Sequence, residues 1–183
     1  MTLRAWTAAV MTLAVASAAP ADTFKFSGPG SKIEFVGTKK DGMHTGGFRK
    51  FTGTIDAPDG DFAKAKLTVE IDTNSIYTDN EKLTQHLKSP DFFDVRTHPK
   101  ATFTATMIRP VRGDGATTHL VTGDLTLHGV KKSLTIPVQV GPSDRGLGLT
   151  ATFTIRRKDF DMTFGEGQVN NDVTVKLSIQ AGK

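Results

Sequence analysis

Two aspartates three residues apart, Asp91 and Asp94, are the side chains in this sequence best spaced for acid–base chemistry. On one helical turn, two carboxylates could act as general acid and general base. The alternative is that both acids stabilise the start of a helix, where the helix dipole favours negative charge. Ser89 and Pro90 precede them in the order typical of a helix start, so this capping role is the favoured interpretation.

Histidines are the other side chains with chemical potential, because imidazole is a common metal ligand. No two of the five stand two or four residues apart, so only the fold could assemble a metal site from them. His86 and His98, on either side of one helical segment, are the best pair for such a site. Hydrogen-bonded or solvated histidines are the favoured alternative, and we predict no metal site. The five are His44, His86, His98, His119 and His128.

Sequence motifs of known catalytic and nucleotide-binding sites are absent. The chain has no G-x-S-x-G, H-E-x-x-H or P-loop pattern and no calcium-binding loop. Gly146, Gly148 and Ala151 match part of a dinucleotide-binding pattern, but they run into a predicted strand where a bound phosphate needs a helix start. A nucleotide site is therefore not expected.

A cluster of charges near the C-terminal third has a simple explanation. Asp159 and Asp161 stand beside the basic run of residues 156–158, and ion pairs on the surface account for all five charges. With neither this cluster nor the aspartate pair favoured as a catalytic site, we expect no enzymatic activity.

The first 21 residues have the features of a secretory signal peptide. Arg4 is followed by a short apolar run from Ala5 to Ala16 and then by small residues, and the run is too short to span a bilayer comfortably. We favour cleavage before Asp22, which predicts a periplasmic or secreted protein. The remainder, residues 22–183, is long enough for one domain with its own core.

Composition disfavours several classes of function. Without cysteine the protein has no disulfides and no thiolate chemistry. The formal net charge is +4 and the basic residues form no long run, so nucleic-acid binding has little support and attraction to anionic membranes is at most a small bias. Phe is the dominant aromatic, with twelve residues against one Tyr and one Trp, and the Trp lies in the predicted signal peptide. A cavity lined by Phe favours hydrocarbon over sugar, but Phe that fills a core gives the same composition, so both interpretations stay open.

Most of the remaining chain alternates between apolar and polar residues, the period of β-strands. Eight or nine such strands follow one another closely, which predicts an antiparallel barrel or sandwich. One long strand is expected from Gly46 through Phe48 and Phe51 to Ile55. Since the two Phe are three residues apart, we expect a bulge between them.

One segment, Thr78 to Pro99, has helical character instead. Thr78 and Glu81 can form a capping box, and Leu83 and Leu87 stand on one helical face. A second short turn follows at residues 89–95 and presents Phe92 and Phe93, which must dock on a sheet or over an opening in one.

The same segment closely resembles the signature of the YceI-like family, in Asn80-Glu81-Lys82 and in the run H-L-K-S-P-D-F-F-D-V of residues 86–95. The resemblance extends to F-R-K-F-T-G-T-I at 48–55, to A-T-F at 101–103 and to V-T-G-D-L-T-L-H-G-V at 121–130, and more loosely to R-K-D-F at 157–160. The departures are a short segment at residues 39–47 with Met43 and His44, and Asp161 where Gly is usual.

The resemblance implies an all-β fold, an eight-stranded antiparallel lipocalin-like barrel with a helical insertion at about residues 79–95. It also implies an exported protein that holds a polyisoprenoid, such as an isoprenoid quinone or a polyprenyl chain, in the barrel for storage or transport. No cofactor or nucleic acid is expected, while a transient membrane contact and a homodimer stay open.

The alternatives are a partner-binding β-domain with a filled core and, with less support, a carbohydrate-binding sandwich. The interior positions predicted to contact the lipid are Phe35, Phe48, Phe51, Val69, Leu83, Leu87, Phe92, Phe93, Phe103 and Phe153.

Overall fold

The computed structural model of the chain describes residues 21–112 and 115–183. The predicted signal peptide lies outside these residues except for Ala21, which begins the first strand. The strands are β1 (Ala21–Ser27), β2 (Lys32–Lys39), β3 (Gly42–Phe48), β4 (Phe51–Pro58), β5 (Lys66–Asp72), β6 (Ile76–Thr78), β7 (Lys100–Pro110), β8 (His119–Leu127), β9 (Val130–Ser143), β10 (Gly146–Arg156) and β11 (Val169–Gly182), with one α-helix, α1 (Glu81–Leu87).

Eight strands form a closed ring in which every neighbouring pair is antiparallel. The hydrogen-bonded order is β1, β4, β5, β7, β8, β9, β10 and β11, and β11 returns to β1 where Gly182 faces Lys25. From β7 onward each strand pairs with the next one along the chain. The predicted eight-stranded antiparallel barrel is confirmed, and a sandwich is wrong because no edge separates two sheets.

Three further strands extend part of the wall. β2 pairs with β11, β3 with β2, and β6 with β3. Because β1 and β2 are consecutive and both lie against β11, they occupy one position in the ring. The pairs β3–β4 and β5–β6 occupy the next two positions in the same way. The first three of the eight wall positions are therefore each broken into two strands.

The breaks lie side by side and bond to one another. The Gly28 N–H donates to the Phe51 carbonyl at 3.2 Å, and the Arg49 N–H donates to the Ser75 carbonyl at 3.2 Å. The Lys50 N–H donates to Ser75 Oγ at 3.0 Å. We call residues 28, 49, 50 and 75 the bend seam, because the wall changes direction where they cross it.

The bend seam corrects one prediction. Phe48 and Phe51 do not share a bulged strand, because Arg49 and Lys50 leave the sheet between β3 and β4. These two residues reset the alternation, so Phe48 and Phe51 both face inward, which is the effect that a bulge was expected to have.

Side-chain packing inside the barrel changes from one end to the other. Along β11, Ile179 and Ala181 are buried, whereas Val173, Val175 and Leu177 of the same inward row are only partly buried. At the end with Ile179, a 3₁₀-helix at Phe62–Lys64 places the buried Phe62 over the core. The barrel is therefore filled at the end that contains Ile179 and Phe62, which we call the packed end. Along β11, the inward side chains are less buried toward the opposite end.

The helical insertion lies at the other end, which we call the α1 end. Asn80 caps α1, because its side chain accepts a hydrogen bond from the Leu83 N–H at 3.1 Å. The predicted capping box of Thr78 and Glu81 is wrong, since Thr78 Oγ1 donates to the Asn80 carbonyl instead. Within residues 21–112 and 115–183, no helix is both long and apolar enough to cross a membrane.

The turn after α1 starts as predicted. Ser89 Oγ accepts a hydrogen bond from the Asp91 N–H at 3.3 Å, so Ser89 has the capping role expected from the sequence. Further along the chain, Asp161 has a φ of 59°, in the left-handed region. Gly fits that conformation most easily and Asp tolerates it, which gives a physical reason for Gly being usual there in the family pattern.

Gly28→Ala tests the bend seam, because its Cβ would lie 2.2 Å from the Arg49 carbonyl oxygen, a backbone atom. We expect the free energy of unfolding to fall by about 1–3 kcal/mol. Urea denaturation followed by circular dichroism measures this change.

The control is Gly141→Ala, whose Cβ would meet nothing within 4 Å. Its free energy of unfolding should stay within about 0.5 kcal/mol of the wild-type value. Equal stabilities for the two variants would contradict the close approach of backbones at the bend seam.

Candidate functional site

A cavity of about 340 Å³ lies inside the barrel, between the packed end and the α1 end. Its wall consists almost entirely of aliphatic and aromatic side chains from the inward rows of the strands. Nine of the ten predicted interior residues line it, which are Phe35, Phe48, Val69, Leu83, Leu87, Phe92, Phe93, Phe103 and Phe153. Contact of these residues with a ligand stays a prediction.

Phe51, the tenth predicted residue, does not line the cavity. It is 4% exposed and packs in the buried core, and its partner in the sheet is Ile71 of β5. The reset of the alternation at the bend seam turns Phe51 inward, where it packs in the buried core beside the cavity. Its role in the structure is therefore packing.

The prediction missed several lining residues, although the period of two along each strand could have found them. They continue the same inward rows as the predicted residues and include Ile71, Leu125, Leu134, Ile155, Val173 and Val175. The predicted set consists mainly of Phe and omits these smaller aliphatic side chains.

Glycines opposite three of the lining Phe rings explain how a Phe-rich interior stays hollow. In each pair the glycine lies on the adjacent strand, and the Phe Cζ occupies the space that a Cβ on the glycine would need. The rings therefore lie against the wall and leave the centre open. The distances from Cζ to the ideal Cβ position are 2.1 Å for Phe26 and Gly53, 2.6 Å for Phe35 and Gly46, and 2.5 Å for Phe103 and Gly123.

The insertion closes the wall beyond the short strand β6. Leu87 and Phe92 form a buried cluster with Ile76 of β6, and Phe35 and Phe48 of the wall pack against it. The Phe93 ring meets the Phe48 ring edge to face, with centroids 5.7 Å apart. The two Phe of the signature therefore act in the wall, and both also border the cavity.

Polar contacts fasten the insertion at both ends. At its start, Asp79 accepts a hydrogen bond from the Thr45 N–H at 3.0 Å and pairs with His44 Nδ1 at 2.8 Å. These contacts, the Thr45 bond first, lower the pKa of Asp79 from its usual value. At its end, the buried Thr73 hydroxyl donates to the His98 carbonyl at 2.7 Å.

The structure does not bring His86 and His98 together. His86 Nε2 lies 2.9 Å from Asp91 Oδ2, and the His98 ring packs on the His128 ring with centroids 5.0 Å apart. Asp91 is thus occupied by His86, and the pairing of Asp91 with Asp94 as catalytic acids has no geometric support. Among the described residues, no group of three or more His, Asp or Glu side chains is placed to hold a metal ion.

Four of the six polar residues of the lining lie at the α1 end, and the other two are Glu34 and Thr150. Thr38 and Lys39 come from the end of β2, His44 from β3, and Arg157 from the 3₁₀-helix that follows β10. Val169 faces Lys39 across the β2–β11 ladder, which places these residues at one level of the barrel. The opposite end is filled by Phe62 and the core around it, so these polar residues border the cavity on the side away from the packed end.

The prediction that Arg157 is a surface charge is wrong. The residue is 4% exposed, and its guanidinium donates to three backbone carbonyls. Nε donates to Asn170 at 3.0 Å, Nη2 to Val169 at 3.1 Å, and Nη1 to Met162. Burial lowers the pKa of Arg157 from its usual value, and the charge of Glu166 opposes that effect.

Of the other charges around Arg157, Arg156 and Asp159 form a predicted surface pair, whereas Lys158 pairs with an acid outside the predicted cluster. Arg156 pairs with Asp159 at 2.9 Å, and both side chains are well exposed. Lys158 pairs with the exposed Glu166. Burial therefore singles out Arg157, and a sequence pattern of three consecutive basic residues could not have identified which one turns inward.

Comparison with known proteins agrees with this architecture. The YceI-like domain matches residues 24–181. A UPF0312 protein of Pectobacterium atrosepticum is 34% identical over 184 residues, covering 94% of this chain and 92% of that protein. Protein YceI of Salmonella arizonae is 33% identical over 141 residues, which cover 74% of this chain and 72% of the Salmonella protein.

Two solved structures show the same barrel. BcnA of Burkholderia cenocepacia has a TM-score of 0.77 at 25% identity, covering 86% of this chain and 99% of BcnA. A polyisoprenoid binding domain from Saccharophagus degradans, implicated in plant cell wall breakdown, has a TM-score of 0.66 at 18% identity, covering 87% and 97% of the two chains. The domain match and the identity to these relatives show that the chain belongs to the YceI-like family.

Proposed function

We propose that this protein binds the hydrocarbon chain of a polyisoprenoid lipid in the barrel cavity, as an exported carrier or store and without catalysing a reaction. The observation that carries the proposal is the apolar cavity of about 340 Å³ at the hollow end of an otherwise packed barrel. Cavities of this size and character are typical of small-molecule sites.

The physical basis of binding would be burial of hydrocarbon. Each buried CH₂ group contributes about 0.8 kcal/mol, and part of this is offset by the ordering of the chain. A lining of Phe, Val, Leu and Ile supplies such burial along the length of the cavity without any directed chemistry. Affinity would therefore grow with chain length until the cavity is full.

The fold relatives support the ligand class. The Saccharophagus degradans domain is described as polyisoprenoid binding, and it shares the barrel of this protein. A branched isoprenoid chain suits a wall of branched aliphatic and aromatic side chains. The signal-like residues 1–21 support export. In an aqueous compartment, an exported barrel of this kind would shield the hydrocarbon of its lipid from water.

A partner-binding β-domain with a filled core is the less favoured alternative. It would require the inward rows to be covered along their whole length, whereas Val173, Val175 and Leu177 stay partly uncovered. The cavity therefore favours the lipid proposal.

Protein purified from a bacterial envelope is expected to carry lipid. Native mass spectrometry should show a mass increment that organic extraction removes, and the extract should contain a polyisoprenoid. Empty protein that also fails to take up added polyisoprenoid would contradict the proposal.

Phe103→Trp should fill part of the cavity, because Phe103 is partly buried and faces it. We expect lipid affinity to fall several-fold with a loss of stability below about 1 kcal/mol, since the added atoms enter open space. Overpacking of a filled core would instead destabilise the fold by about 1–3 kcal/mol. The new Trp also reports ligand through its fluorescence, as the sequence otherwise has only Trp6.

Gly53→Ala tests whether the glycines keep the cavity open. The atoms nearest to its Cβ all belong to the Phe26 ring, so that ring should be displaced toward the cavity while the backbone stays in place. Lipid affinity should fall about tenfold, as measured by displacement of a fluorescent fatty acid. Gly141→Ala, with nothing within 4 Å, is the matched control and should bind like the wild type. Unchanged affinity in Gly53→Ala would contradict this role of the glycines.

A further inference from the structure

Arg157 is the one buried charged side chain among the described residues, and it borders the cavity. We propose that Arg157 is a head-group site, at which the guanidinium donates a hydrogen bond to an oxygen atom at the end of the lipid. The inference rests on the proposed function and adds to it the chemistry of the head group and the direction in which the lipid lies.

The guanidinium has donors left over after its contacts within the protein. Arginine carries five N–H groups in a fixed planar arrangement. The contacts with Asn170, Val169 and Met162 use one N–H on each of the three nitrogens. Within the described residues no further hydrogen bond to Arg157 is formed, so Nη1 and Nη2 each keep one N–H for an acceptor.

Among residues 21–112 and 115–183, the charge of Arg157 also has no bonded counterion. Its three partners are neutral carbonyls, and burying a charge without an opposite charge is unfavourable. Glu166 is the acid whose charge affects the pKa of Arg157. Its side chain is 76% exposed, however, and pairs with Lys158. Asp159, two residues along the chain, pairs with Arg156. An oxygen acceptor at the α1 end of the cavity would complete this environment.

The position of Arg157 defines an orientation. It lies at the α1 end with Lys39 and His44, while the opposite end of the barrel is filled by Phe62 and the core around it. A lipid would therefore enter with its hydrocarbon tail first and keep its oxygen-bearing end beside Arg157. Two head groups share the required chemistry, a phosphate and a quinone carbonyl.

The other role that the same contacts allow is a purely structural one. By binding the carbonyls of Met162, Val169 and Asn170, Arg157 holds the loop between β10 and β11 in place. A structural role affects all ligands equally, whereas a head-group site discriminates between ligands with and without oxygen. The test therefore compares head groups at constant chain length.

The experiment measures affinities of the delipidated protein for three ligands with a geranylgeranyl chain: the phosphate, the naphthoquinone and the plain hydrocarbon. A hydrogen bond to a charged group contributes about 1.5–3 kcal/mol, so one or both oxygen-bearing ligands should bind at least about tenfold tighter than the hydrocarbon. Preference for the phosphate would assign an anionic head group, and preference for the quinone a neutral carbonyl.

Arg157→Gln should remove that preference while keeping affinity for the hydrocarbon. Arg156→Gln is the matched control, because Arg156 is exposed and pairs only with Asp159, and it should keep the full preference. Circular dichroism and thermal unfolding check that each variant folds. If Arg157→Gln does not fold, Lys39→Gln is measured instead: a wild-type preference that Lys39→Gln keeps supports Arg157, and one that it loses overturns the head-group site at Arg157.

Equal binding of all three ligands by the wild type would overturn the head-group site and leave the proposed lipid-binding function intact. A preference that Arg157→Gln retains would also overturn it. Failure of all three ligands to bind would count against the proposed function itself.

Discussion

The wall of a closed eight-stranded barrel fixes the volume inside it, so each inward side chain must either meet another side chain or face a void. In this protein the inward rows are mostly apolar. They meet at the packed end and in smaller buried clusters around Phe160 and Phe92, and between these they face the cavity. Ile55, Ile108, Ile179 and Ala181 are buried at the packed end, while Val175 on the same face of β11 as Ile179 is partly uncovered. The cavity follows from this difference along the barrel.

Three features keep the α1 end hollow. The bend seam breaks the first three wall positions and redirects β2, β3 and β6. Glycines opposite Phe26, Phe35 and Phe103 let these rings lie against the wall. The insertion, held by Asp79 at its start and Thr73 at its end, covers the region that the three-residue strand β6 leaves open. Each is a local departure from a regular strand, and together they explain why a Phe-rich interior encloses space.

Much of this could be predicted from the sequence. Alternation predicts most strands, helical spacing predicts the insertion, and the family signature around Phe92 and Phe93 implies the barrel. Alternation alone cannot distinguish a bulge from a complete break, because both reset the phase, and so Phe48 and Phe51 were wrongly joined. Thr and Asn are both good helix caps, so the sequence alone does not decide between Thr78 and Asn80. The backbone geometry of the fold selects Asn80. A charged residue in a basic run is expected at the surface, and the sequence does not show the three carbonyls that offset part of the cost of burying Arg157.

The central claim is that hydrocarbon occupies the hollow end of the barrel. The most direct measurement is a set of intermolecular nuclear Overhauser effects between methyl-labelled protein and a bound isoprenoid. We expect contacts from the ligand to Val69 and Val175, which line the cavity, and none to Ile55 or Ile108, which are buried away from its lining. Contacts confined to side chains on the outer face of the barrel, with none to Val69 or Val175, would contradict the central claim.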